Sequence, residues 1–489
     1  MGGAITLTNT NTDSAITYEP LESSKNGGSD SFTFKVNDGS VDSGDATVNV
    51  EIKTDPLYPY QWHLENTGQT NFATNGGTAG EDLNLETVIL DGITGSGVKV
   101  AIIDEEFEIA HEDLVGNVID GSWNFTDSSN DPTELDSSGG HGTAVAGLIA
   151  SKGWNNIGTR GIAPNASIFG YNYLKDQSTL AGNQSLGVNS PGGVTADIYN
   201  MSYGRVSSGA YYPPSFMTDA QEAVYINGVT NLRDGKGATY TRSGGNAFRT
   251  GASDYCGTEY SCTEIVIDRS KNIPYSIPVA ALNADGLKAS YSTTGAAIWV
   301  SGFGGEGGNN TAYSGVSLTG GNKPAMMTVD KASCTRGYVQ LGAAIGSGSN
   351  YNEFNSGLNA ENPECNYVSD FGGTSSAAPT VAGVVALILE ANPDLTWRDV
   401  KHILANTSDK IDPTRRVTLG DDENGENGIA QYEWETNSAG YEFHNWYGFG
   451  KVNAAAAVEF AKTYTADSLG EFVITDYVSS GEINLAITD

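Results

Sequence analysis

Positive charge is scarce in this sequence: 25 Lys and Arg stand against 59 Asp and Glu in 489 residues, a net charge of −34. A surface so negative repels phosphate backbones and anionic membrane faces, which excludes a general nucleic-acid binder and disfavours membrane-surface attachment. Long apolar runs are missing too. None approaches the roughly 20 residues that a membrane span needs. Cysteine is limited to Cys256, Cys262, Cys334 and Cys365, with no C-x-x-C pair, so zinc ribbons and thioredoxin-type redox sites have no support. Their spacings of six and thirty-one fit two local disulfides in an oxidising compartment, with four buried thiols as the alternative. The opening MGGAITLTNT has neither a basic start nor an apolar run. The expectation is therefore that a secreted form starts after its signal or is cut from a longer chain.

Glycine is plentiful: 62 residues, which predicts many tight turns. Near the start, Phe32–Val36 and Ala46–Ile52 alternate like two strands, joined through the turn-forming Asn37-Asp38-Gly39. From Gly97 onward, apolar runs at Val98–Ile103, Ala166–Leu174, Asp197–Ser202, Ala238–Thr241 and Ile277–Leu282 read as buried strands. Helical patterns such as Thr143–Ser151, Met217–Asn227 and the long apolar Ala377–Glu390 separate or follow them, with Asp399–Asn406 and Ala454–Lys462 beyond. Buried strands alternating with helices predict an α/β fold, a mostly parallel sheet with helices on both faces. The span 303–370, rich in Gly, Asn and Ser, reads as a long surface insertion.

Three motifs carry chemistry. Val100-Ala101-Ile102-Ile103-Asp104 is a buried strand ending in a carboxylate, at the sheet edge where α/β sites form. Gly140-His141-Gly142-Thr143 puts one of only five histidines at the start of a small-residue helix. Gly372-Gly373-Thr374-Ser375-Ser376-Ala377 places Ser375 at a helix N-terminus, where free N–H groups and the helix dipole favour an oxyanion. Singly, each has a plain reading: a capping Asp, a satisfied His, an N-cap Ser. Together they supply an orienting carboxylate, a base and a nucleophile in the order Asp, His, Ser. That order differs from α/β-hydrolases, and Ala377 stands where a G-x-S-x-G elbow needs its second Gly.

In combination these motifs resemble the subtilisin-like serine peptidases, the subtilases. The kexin/furin-like branch is the closer likeness, through Asp55-Pro56-Leu57, Gln61-Trp62-His63-Leu64, His111-Glu112-Asp113-Leu114, Gly121–Phe125 and Leu389–Val400. The resemblance covers about 55–464. Residues 1–54 look like the last strands of a cadherin-like or Ig-like β module, and 465–489 like the truncated start of a β-rich P domain. No typical inhibitory propeptide is readable before Asp55.

The resemblance implies a catalytic set of Asp104, His141 and Ser375, with Asn246 in Ser243-Gly244-Gly245-Asn246 as side-chain donor to the tetrahedral oxyanion. It implies that Ser202-Tyr203-Gly204 pairs with the substrate backbone by strand addition, with Gly244 and Gly245 alongside. Asp268 and Asp254 fall near the branch's acidic pocket positions, and Glu105 where it contacts a second basic residue. Polypeptides cut after Arg or Lys are the implied substrates. Three departures, Glu106 for a Gly, Gly139-Gly140 before His141 and Arg205-Val206 after Gly204, favour one basic residue over a strict pair.

The likeness also implies one structural calcium ion, held by Asp55, Asp113 and Asn155 with carbonyls near Lys152, Ile157 and Thr159. A second calcium site near the primary pocket has lost two acidic ligands, with Thr293 at one of those positions, and the sequence leaves open whether that site exists. The overall expectation is an extracellular or cell-surface endopeptidase, a monomeric domain within a larger multidomain protein. Alternatives are a noncatalytic adhesion module with a decayed peptidase fold, or a broad-specificity digestive subtilase.

Overall fold

The computed structural model describes residues 4–9, 14–19, 27–137, 139–204, 214–248, 263–318, 320–421 and 427–470. At the N-terminal end, strands Gly28–Phe34 and Ala46–Ile52 pair antiparallel, Phe34 opposite Ala46. A further antiparallel pair, Ala4–Asn9 with Ser14–Glu19, precedes them.

The main body is built on six strands: β1 (Lys99–Ile103), β2 (Ser167–Tyr171), β3 (Ile198–Met201), β4 (Thr239–Ser243), β5 (Ser276–Leu282) and β6 (Val300–Phe303). All their pairings are parallel, in the order β6-β5-β4-β3-β1-β2. Every residue of β3, β4 and β5 is buried, as expected for strands covered on both faces. The order reverses at β1, whose neighbours are β2 and β3. A crevice therefore opens beyond its carboxyl end, where Asp104 follows.

Two helices bring the other motifs to that edge. Helix α1 (His141–Ala150) packs against α2 (Thr374–Ala391), and α2 runs under β3 to β6. Buried on nearly every side, α2 is apolar all round. Its 18 residues have a mean hydropathy of 1.4, enough by composition to cross a membrane, but 83% of it lies inside this core. Helix α3 (Trp397–Thr407) opens with a capping box between Thr396 and Asp399, and α4 (Ala454–Thr463) lies against α2. The same core takes in residues upstream of β1. Trp62, fully buried, donates from Nε1 to the Ala325 carbonyl at 2.7 Å, and Leu57, Leu64, Leu83 and Leu85 are buried beside it.

The segment 303–370 corrects the expectation of a surface insertion. Strands β7 (Met326–Val329) and β8 (Tyr367–Phe371) pair antiparallel inside the molecule, and Met326, Met327 and Val329 are fully buried. Thr328 Oγ1 donates to the Ala144 carbonyl of α1 at 2.8 Å. Composition misled here because buried asparagines do the work of a ladder. Asn352 Nδ2 donates to Gly308 O (2.9 Å), Asn309 Nδ2 to Val316 O (2.8 Å), and Asn355 Oδ1 accepts from Ser369 N (3.1 Å). Cys334 and Cys365 form a disulfide, their Cα atoms 5.0 Å apart. Cys256 and Cys262 lie outside the described residues.

Candidate active site

At the end of β1, Asp104 is fully buried, and its backbone N–H still bonds the sheet through Tyr171 O (3.0 Å). Its Oδ1 accepts from Glu105 N and from His141 Nδ1, both at 2.8 Å. That bond fixes the tautomer, with the proton on Nδ1 and Nε2 left to act. Phe371 buttresses the imidazole edge-on, ring centroids 5.4 Å apart. Burial works against an imidazolium here, yet the Asp104 carboxylate, with Glu105 and Glu106 behind it, raises the ring's pKa above its ordinary value.

His141 is brought so near by Gly142. A Cβ there would lie 1.9 Å from Glu106 O and 2.8 Å from Asp104 Cβ, so only glycine lets α1 start against the end of β1. Glu106 completes the joint. Its carboxyl oxygens accept from Thr143 N and Thr143 Oγ1, both at 2.8 Å, and so satisfy the first turn of α1. Burial pushes this carboxyl up to about 8.

Ser375 is the second residue of α2, after Gly373 at φ +91°. Its Oγ donates to Ser202 O, and Ser202 Oγ donates to Ser375 O, both at 2.9 Å. The hydroxyl thus rests on the strand-end carbonyl rather than on His141. Asn246 stands on the other side of the helix start. Its Oδ1 accepts from Thr374 N and Thr374 Oγ1, both at 2.8 Å, while Gly245 N donates to Thr374 Oγ1 at 2.9 Å. With Oδ1 taken by two donors, the amide Nδ2 is the end left to donate.

Ser375, Thr374, Ser202 and Asn246 meet at a cavity of about 250 Å³, which His141 and Asp104 do not line. Ser202, Tyr203, Gly204, Gly244, Gly245, Asn246, Asp268 and Ser375 line it, and so do Glu264 and Lys271. Asp268 Oδ1 accepts from Ser215 Oγ (3.0 Å) and Ser270 Oγ (2.6 Å). Burial opposes ionisation of Asp268, but Arg242 and Lys271 outweigh it and lower the pKa. Glu105 is not among the lining residues; its charge acts on the imidazole instead.

Comparison with known proteins decides the family. A model described as the subtilase family matches residues 95–450, most of the chain. The chain belongs to the subtilase family. An extracellular serine protease of Aeromonas sobria is 34% identical over 84% of this chain and 64% of its own length. Kexin of Saccharomyces cerevisiae is 31% identical over 84% of this chain and 40% of its own. The chain therefore spans about two fifths to just under two thirds of these curated relatives. The crystal structure of the serine protease of Aeromonas sobria superposes with a TM-score of 0.74 at 33% identity, covering 85% of this chain and 68% of that one.

In this subtilase, the residues expected to bind calcium also come together. Asp55 and Asp113 are both buried. Asp113 accepts from Asn155 Nδ2 (2.8 Å) and Thr159 N (2.9 Å), and Asp55 Oδ1 from Asn155 N (3.3 Å). Asp55 Oδ2 is buried with no hydrogen-bond partner. Burial raises Asp55 to about 6 and, with Asp55 adding to it, Asp113 to about 7. An orphaned carboxylate oxygen with a second costly carboxylate in its electrostatic reach suits a hard cation. Among the described residues no three His, Cys, Asp or Glu gather to hold a metal, so carbonyl and amide oxygens would supply the rest. Lys152 turns its ammonium away to Asn165 Oδ1 (2.7 Å) and Asn117 Oδ1 (3.1 Å), leaving only its carbonyl for that role.

Four functional candidates escaped the sequence reading. Thr374 could have been found as the hydroxyl beside the nucleophile at a helix start. Glu264 and Lys271 lie within one turn of Asp268 on either side, a weak signal in so acidic a chain. Glu106 was visible only as a departure. Asp254, Arg205 and Val206 lie outside the described residues.

Proposed function

We propose that this subtilase is a secreted, calcium-stabilised serine endopeptidase that cuts polypeptides after a basic residue. The observation that carries the reading is Asp104 holding His141 by a 2.8 Å bond at the crevice toward which α2 presents Ser375 in its first turn. In the reaction, Ser375 Oγ leaves the Ser202 carbonyl, gives its proton to His141 Nε2 and attacks the scissile carbonyl carbon. The Asn246 amide and the N–H groups at the start of α2 receive the oxyanion. His141 then returns the proton to the leaving amine, its imidazolium stabilised by Asp104, and water repeats the sequence on the acyl-enzyme. The segment Ser202–Gly204 would bind the substrate backbone as an added strand.

The preference for a basic residue is supported by Glu264. Glu264, exposed as a whole, lines the cavity with its carboxylate against Gly295 and without a hydrogen bond or ion pair among the described residues, and partial desolvation raises it to about 7. An incoming guanidinium or ammonium would reverse that cost. The disulfide and the extracellular Aeromonas relative support secretion. Asp55, Asp113, Asn155 and Thr159 would hold the calcium ion, which ties the segment before β1 to the loop after α1.

The test is hydrolysis of fluorogenic peptides ending in Arg, Lys-Arg or Phe by wild type and Ser375→Ala. Cleavage after Arg that is lost in S375A is expected. If S375A matches wild type, the chain is a noncatalytic module; equal rates on Arg and Phe remove the basic preference.

A further inference from the structure

The cavity beside Ser375 has a cation of its own. Lys271 is 6% exposed, its Nζ donates to Gly244 O at 3.1 Å, and it stands 3.8 Å from Asp268 Oδ2. A Cβ on Gly204 would meet that Nζ at 3.1 Å and one on Gly245 at 3.5 Å. The ammonium therefore lies against both backbone stretches that flank the cavity. Asp268, the carboxylate expected to read a basic side chain, is engaged at both oxygens, by Ser215 and Ser270 on one and by Lys271 near the other. Arg242, buried behind it on β4, adds a second positive charge to its surroundings. A substrate cation driven to the floor would meet a like charge already in place.

We propose that Lys271 is a specificity-determining residue: its ammonium cancels Asp268, so that a basic side chain is read by Glu264, and the pocket's discrimination between Arg and an uncharged residue is held down. The proposal rests on the endopeptidase reading above. It separates two carboxylates that the sequence alone treats as alike. Glu264 recognises substrate, and Asp268 balances the protein's own cation. Desolvation brings Lys271 down to about 8, with Asp268 opposing and Arg242 assisting, consistent with an ammonium kept charged by one buried partner.

The experiment compares kcat/KM for otherwise identical peptides with Arg or Phe before the cut. Lys271→Met is expected to raise the Arg-to-Phe ratio about tenfold or more, since a hydrogen bond to a charged group is freed for the substrate. Lys271→Arg keeps the charge and should keep the wild-type ratio. The double variant Lys271→Met/Asp268→Asn removes both members of the pair, keeps the Arg242 bonds to Tyr225 and Met201, and should return the ratio to within about threefold of wild type. Glu264→Gln should lower the ratio in every background. A K271M ratio at or below wild type overturns the proposal. So does a double variant that loses its Arg preference, because Asp268 would then be reading substrate directly. The double variant decides the question even if K271M does not fold. Wild type that cleaves neither peptide overturns the endopeptidase reading as well, whereas cleavage with an unmoved ratio overturns this inference alone.

Discussion

The strongest test of the oxyanion geometry is not removal of Asn246 but removal of what holds it. Thr374→Val keeps the shape of the side chain and deletes the hydroxyl that donates to Asn246 Oδ1 (2.8 Å) and accepts from Gly245 N (2.9 Å). One anchor, the Thr374 N–H to Asn246 Oδ1, survives at 2.8 Å. Losing one net hydrogen bond from the anchoring is worth about 1 kcal/mol, or roughly a fivefold fall in kcat. Asn246→Ala removes the donor itself and should cost about 3–4 kcal/mol, a factor of order a hundred to a thousand. The donor acts on the transition state, so KM should hardly move in either variant. The informative comparison is the double variant. If Thr374 works through Asn246, T374V/N246A should have the kcat of N246A alone, about fivefold above what multiplying the two single losses gives. The assay is steady-state hydrolysis of an Arg-ended fluorogenic peptide, with melting temperatures to confirm folding. A further fivefold loss from T374V in the N246A background would refute the reasoning.

Three other outcomes follow from the buried groups. Asp55 and Asp113 have folded pKa values of about 6 and 7, above their ordinary value of 3.8, so without a cation their contribution to stability is present at low pH and lost as pH rises through that range. Bound calcium would hold them ionised, so chelator should lower Tm little at pH 5 and much more at pH 8; equal shifts at both would sink the calcium assignment. Glu106 is likewise raised, from 4.5 to about 8, and stabilises while protonated. Glu106→Gln should therefore melt near wild type at pH 6 and above it at pH 9, whereas Glu106→Ala, which strips acceptors from Thr143, should melt lower at both. The Cys334–Cys365 bridge closes a loop of sequence separation 31. Replacing both with Ser should cost about 3–4 kcal/mol on loop entropy, read as a Tm lower by several degrees, and an unchanged Tm would show the loop is already ordered in the unfolded chain.

Much of the scaffold was legible because buried parallel strands are written as unbroken apolar runs. Val98–Ile103 ends at Asp104, and the structure ends β1 at Ile103. The two helix starts were legible for the same local reason, small residues and glycines ahead of an apolar helix. What could not be read were groups whose meaning comes from distant packing. Lys271 looks like any surface lysine until the end of β4 closes over it. Glu106 is one acid in a run of three, and only the approach of α1 turns it into a buried cap. In 303–370 the polar composition concealed β7 and β8, because amide side chains satisfy the backbone there.

The distances between motifs along the chain carry one more consequence. Asp104, His141, Asn246 and Ser375 come from four separate segments spread over more than half the sequence, and each sits within three residues of the end of a strand or the beginning of a helix. No local stretch contains two of them in working order. On the proposed mechanism, hydrolysis would arise only when the long-range closures of the parallel sheet are complete, the slow steps in forming such a topology. Recovery of activity during refolding would then report the last event in assembly, and a half-folded copy would be harmless to the chains around it.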